Sequence, residues 1–148
     1  MSPLRAAVSL ANGGALPLAD LPLLGRGHFA GALLAEVAEG GRVAAYFAMP
    51  AGDKLELFAL LARDAHGDLA VLRTEVGGEF PSLALRCPEL QLFEREIAEQ
   101  YGSTPTGHPW FKPVRFHRSW TARDAWGRGP ERPEVHQSGV RGVPTGPG

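Results

Sequence analysis

Apolar positions recur along this chain with two periods. Between His28 and Glu39, Phe29, Leu33, Leu34 and Val37 fall at helical spacing and Gly40 with Gly41 supplies a stop, which predicts a first helix. From Arg42 to Met49 the period shortens to two, and Val43, Ala45, Phe47 and Met49 share one side of a predicted strand. Lys54 to Arg63, beyond Pro50 and Gly52, is apolar on both faces and short enough for a central strand, although its Leu and Ala content leaves a helix open. Asp64 to Gly67 reads as a turn, and Asp68 to Val76 as a third extended run through Leu69, Val71 and Thr74. These connections are too short for parallel crossovers, so the three runs form an antiparallel meander. The helical period returns around Phe93, with Leu90, Ile97 and Tyr101 within about 80° of it on a helical wheel. Pro88 suits the start of that helix, Glu89 adds favourable charge there, and Gly102 is placed to end it.

Two amphipathic helices around a meander predict an α+β fold, a small antiparallel sheet of three to four strands packed with both helices. Residues 1–26 mix apolar residues with breakers and read as a leader or loop segment, with a short strand or a fusion joint as the two options. The predicted domain covers residues 27–116. Residues 117–148 are rich in Gly and Pro, with Trp120 and Trp126 the only large anchors, and read as an extended, poorly ordered tail that orders on a partner or has no role.

The charged residues of the second helix invite two readings. On the wheel Glu94 and Glu96 flank the apolar stripe, while Arg95 and Glu99 lie one turn apart on the far side and can pair. One reading is a solvated face with surface ion pairs worth roughly 0–1 kcal/mol each. The other is that these residues hold the following loop and meet a partner. That loop carries His108 and Trp110 between Gly107, Pro109 and Pro113, whose prolines stiffen it into a contact surface. Trp110 and Arg115 are of the types enriched at binding hot spots, although Trp110 folded back on its own domain and His108 as a hydrogen-bonded loop residue are equally open.

The run LFEREIAEQYGSTPTGHPWFKPVRF, Leu92 to Phe116, resembles the signature of the C subunit of respiratory complex I, the 30-kilodalton-subunit family, whose relatives belong to membrane-bound nickel–iron hydrogenases and formate hydrogenlyases. Glu94, Arg95 and Glu96 meet its Glu-Arg-Glu, Glu99 its following acid, Tyr101 one of two large apolar positions, His108 and Lys112 its basic positions and Val114 its aliphatic one. Gln100 and Arg115 depart from the pattern. Pro81-Ser82-Leu83 resembles the short turn that precedes the family's signature helix, and GHPWFKPVRF is closer to the hydrogenase branch.

The resemblance implies a non-catalytic accessory subunit or domain that binds no cofactor itself. It docks through Glu94, Arg95, Glu96, Glu99, His108, Trp110, Lys112 and Arg115 onto a hydrogenase-like large subunit and its iron–sulfur small subunit. It also implies a cytoplasmic protein, peripheral at the membrane through that complex. The alternative within the family is the C subunit of NADH:quinone oxidoreductase. Other classes are a small stand-alone enzyme using His108, Glu96 and Cys87, and a peptide-binding module using an exposed sheet edge.

Composition narrows these options. With 148 residues, 44% hydrophobic and 21% charged, the chain can build one domain with a real core. A net charge of −1 gives no general attraction to nucleic acid or anionic lipid, and no basic stripe appears. No apolar run approaches the roughly 18 residues that span a bilayer, and the first residues lack a basic segment followed by an apolar core. Cys87 is the only cysteine, so this chain cannot by itself ligate an iron–sulfur cluster or a nickel–iron site through thiolates. The histidines His28, His66, His108, His117 and His136 offer no helical metal-binding spacing.

Overall fold

A computed structural model describes residues 6–117, 119, 121 and 123–128. The fold is α+β, with a mostly antiparallel sheet and two helices. Its elements in chain order are β1 (Val8–Ala11), β2 (Leu23–Leu24), α1 (Arg26–Ala38), β3 (Arg42–Ala51), β4 (Lys54–Arg63), β5 (Asp68–Val76), β6 (Glu79–Pro81), α2 (Gln91–Tyr101) and β7 (Thr104–Thr106).

The meander forms as its spacing predicts. Ala51 pairs with Lys54 across a two-residue turn whose Gly52 has φ 62°, and β4 then pairs antiparallel with both β3 and β5. The continuous apolar character of Lys54–Arg63 is therefore that of a central strand covered on both faces. The sheet has five strands because the N-terminal segment joins it. β1 runs antiparallel beside the first half of β5, and β2 runs parallel beside its end. Residues from Ala6 onward thus belong to the domain, and the predicted boundary at residue 27 moves toward the N-terminus.

One expected face is reversed. A bulge at Ala44 lets Val43 face Leu61 while Ala45 faces Leu60, so the alternation changes phase there. Tyr46 and Ala48 consequently point into the core, and Phe47 and Met49, expected with Val43, stand on the outer face. Phe47 stacks there on Phe58 with ring centroids 5.3 Å apart.

Both helices cover the same face of the sheet. α1 buries Phe29 and Leu33 over β4 and β5, and a bidentate Arg63–Glu36 pair at 2.5 and 2.8 Å fastens it to the end of β4. α2 lies over β3, with Leu90 and Ile97 buried and Phe93 and Tyr101 partly so, as the stripe requires. The opposite face is covered in part by the segment around Leu16 and Leu21, packed on Phe58 and Val71. Among the described residues no helix is long and apolar enough to cross a membrane.

Candidate functional site

The loop that carries His108 to Arg115 lies along α2, and the helix's charged residues hold it there. Arg95 and Glu99 do not pair with each other as expected. Being one turn apart, they divide one stretch of loop backbone between them. Arg95 donates to the carbonyl oxygens of Lys112 and Pro113 at 2.6 and 2.8 Å, and Glu99 accepts from the amides of Val114 and Arg115 at 2.7 and 3.3 Å. A donor-only and an acceptor-only side chain thereby satisfy a segment that makes no ladder of its own. Glu96 pairs with Arg115 at the margin of the same contact.

Glu94 reaches the other way, into the Pro-Ser-Leu turn. Its carboxylate accepts from the Ser82 hydroxyl at 2.5 Å and from the Leu83 amide at 2.7 Å, so two motifs distant in sequence are bonded together. Burial pushes the Glu94 carboxyl up from its ordinary value, against the opposing pull of Ser82, the Leu83 amide and His108. The His108 side chain is also fully buried, with Nε2 4.0 Å from Glu94. Its Nδ1 accepts from the Trp110 amide at 3.0 Å, which leaves Nε2 to carry the hydrogen and donate to the Gln91 carbonyl at 3.0 Å.

These contacts revise the predicted docking set. Glu94, Arg95 and Glu99 are 0%, 6% and 0% exposed, so they form the frame beneath the loop. The His108 ring is buried with them. The solvated-face reading fails for the same reason: the helix turns these residues toward the chain's own loops. Four members stay accessible. Trp110 is 55% exposed with Arg95 and Lys112 over its ring at 5.1 and 5.2 Å; Lys112 is exposed, and the Glu96–Arg115 pair is partly so. Leu92, Val114 and Phe116, which sequence reasoning did not assign to the site, are exposed large apolar residues. Their signal in the sequence is weak, since an exposed apolar residue reads like any core candidate.

The segment after Phe116, predicted as a loose tail, is docked on α2 as far as the described residues run. Ala125 donates its amide to the Ala98 carbonyl at 3.0 Å, and Thr121 donates its hydroxyl to that of Gln100. The Ala98 carbonyl takes this bond beside the one from the Gly102 amide, and the Gln100 carbonyl at the helix end gains a partner. Arg128 bonds Asp124 at 3.0 Å and the Arg115 carbonyl at 2.9 Å, and its second terminal nitrogen lies 3.5 Å from Glu99. Trp126 packs against Phe111 in a tilted pair with ring centroids 4.6 Å apart and so faces its own chain, while Trp120 and residues 129–148 lie outside the described residues.

The stand-alone enzyme reading gains no geometry. Glu96 is engaged with Arg115, His108 with Gln91 and Trp110, and Cys87 donates its thiol to Glu89 at 3.2 Å; no bond joins any two of the three candidates. Burial, and then the Glu89 carboxylate, push the Cys87 thiol up to about 11. Among the described residues no group of three or more His, Cys, Asp or Glu side chains stands together as a metal site. The chain matches no protein-family model and no curated protein.

Proposed function

We propose that this chain is a non-catalytic accessory subunit or domain of a membrane-associated, complex I-like nickel–iron hydrogenase of the formate hydrogenlyase type. It docks on the hydrogenase-like large subunit beside the iron–sulfur small subunit, and its contribution is shape and contact. Electrons pass through centres in those chains. It sits on the cytoplasmic side and reaches the membrane only through them.

The observation that carries this reading is the loop fastened from beneath. Arg95, Glu99 and His108 fix its backbone, so Trp110, Val114 and Phe116 stand outward on a surface set before a partner arrives. Such preorganisation lowers the ordering entropy that association must overcome. Apolar groups bordered by Lys112, Arg115 and Glu96 match an interface with an apolar centre and a charged rim. The Glu-Arg-Glu resemblance supports the same partner class.

The test is recovery of the tagged chain from its native host, with its neighbours identified by mass spectrometry. A hydrogenase-type large subunit is expected; an NADH:quinone oxidoreductase large subunit would move the assignment to the other branch of the family. Trp110→Ala should weaken assembly by about 2 kcal/mol, roughly 30-fold. The isolated domain should lose no more than about 1 kcal/mol, since Trp110 is half exposed and held mainly by cation–π contacts. Capture of no redox subunit, or assembly indifferent to Trp110, sinks the reading.

A further inference from the structure

A cleft of about 230 Å³ opens between the first turn of α1 and the segment that follows β6, on the side of the sheet the helices cover. Its walls are Phe29, Tyr46, Leu57, Val76, Phe80 and Leu83. The one hydroxyl on its β5 side, that of Thr74, is already donated to the Leu24 carbonyl at 2.8 Å. The cationic groups are at the rim. Arg26 and Arg86 border the cleft from opposite elements. Arg86 is exposed and its side chain makes no ion pair or hydrogen bond among the described residues. Among the described residues Arg26 donates only to the Glu75 carbonyl, at 3.3 Å, and the Glu75 carboxylate is occupied by Lys54 at 2.7 Å, so it does not neutralise the rim. The start of α1 also lacks a side-chain cap, which adds a favourable field for an anion there.

We propose that this cleft binds a medium-chain carboxylate, its aliphatic chain among the apolar walls and its head group between Arg26 and Arg86. Guanidinium groups recognise a carboxylate by paired hydrogen bonds, and a wall with so few polar groups accepts only an apolar body. The volume limits the chain to medium length. The site is separate from the Trp110 surface, so its fate does not depend on the docking reading.

Calorimetric titration of the full chain with sodium octanoate, sodium decanoate and octylamine hydrochloride, each below its micelle-forming concentration, tests this. Saturable one-site binding of the carboxylates is expected, with affinity rising roughly fourfold per added methylene. Octylamine should bind at least tenfold more weakly. Gly27 lines the cleft and a Cβ there meets nothing within 4 Å, so Gly27→Leu should abolish the carboxylate heat while preserving the fold. Arg86→Glu changes an exposed residue and should weaken octanoate at least tenfold with the melting curve unchanged. If Gly27→Leu does not fold, Arg86→Glu and the octylamine comparison decide. No saturable heat, equal affinity for amine and carboxylate, or affinity indifferent to Arg86→Glu would overturn the proposal.

Discussion

Single residues of this chain do work that their residue type alone does not announce, and Glu94 is the clearest case. Its charge lies fully buried, and desolvation outweighs the hydrogen bonds from Ser82 and Leu83, so its folded-state value stands above the ordinary carboxylate range. A raised value means that the folded chain holds this proton more tightly than the unfolded one. The group therefore favours folding most below the ordinary carboxylate value and progressively less as pH rises through the folded value. Glu94→Gln keeps an acceptor for the Leu83 amide and removes the charge, so its melting temperature relative to wild type should rise with pH across the window that begins at about pH 4. A difference that stays level or shrinks across that window would contradict the assignment. Glu94→Ala removes the acceptor as well and should destabilise at every pH by about 1–3 kcal/mol in urea unfolding. Cys87 gives a second residue-scale outcome. With its thiol 1% exposed and raised to about 11, it should react with iodoacetamide near neutral pH at least about 100-fold more slowly in the native protein than in urea. Rapid native labelling would restore a reactive thiol.

Elements were legible in the sequence where one period ran unbroken. Lys54–Arg63 and Asp68–Val76 are strands over the predicted bounds, and α2 ends at Gly102 as expected. The reading failed where an element departs from its period or is completed from a distance. A bulge at Ala44 inverts the faces of β3, because one extra residue changes the phase of everything after it. β6 and β7, three residues each, pair in parallel across 25 positions of sequence, and nothing local marks them. The described part of the segment after Phe116 is held by contacts that its breakers conceal in the sequence. Ser119 and Asp124 supply short-range hydrogen bonds, and Thr121 a bond back to Gln100, that hold the segment without helix or strand. Gly102 is where helix and tail meet. At φ 70°, a methyl group there would lie 2.1 Å from the Arg123 carbonyl oxygen, so both the backbone and the docked segment resist a side chain. Gly102→Ala should cost about 1–3 kcal/mol in urea unfolding. It should also lower exchange protection at the Ala125 amide, which is bonded to Ala98. Protection equal to wild type would mean that the tail does not depend on this approach.

At the scale of the whole molecule, the residues singled out by the motif join distant parts of the chain. Glu94 takes the Pro-Ser-Leu turn, Arg95 the proline-locked loop, and Glu99 both that loop and, beside Arg128, the segment after it. Their types and spacing were visible in sequence, but not their burial. A helical wheel places charges relative to an apolar stripe and is blind to loops that return to cover the opposite side. Of the predicted docking residues, Trp110 and Lys112 are therefore exposed and Glu96 and Arg115 partly so. Glu99 is the junction on which this arrangement can be tested. Its carboxylate is 0% exposed, accepts two loop amides, and lies 3.7 and 3.5 Å from the guanidinium groups of Arg115 and Arg128. Removing Glu99 leaves two loop amides without their acceptor and takes a buried counter-charge from Arg115 and Arg128, which keep only Glu96 and Asp124; the loss should be about 3–5 kcal/mol. Against a total stability of about 5–15 kcal/mol, Glu99→Ala should leave a marginal fold, with loss measured by urea unfolding. Glu99→Gln retains one acceptor and should fall between that variant and wild type. Because the cluster is buried, raising the salt concentration should not erase the difference, whereas surface pairs would be screened. A Glu99→Ala protein within about 1 kcal/mol of wild type would instead assign the loop's position to its prolines and to the Phe111–Trp126 contact.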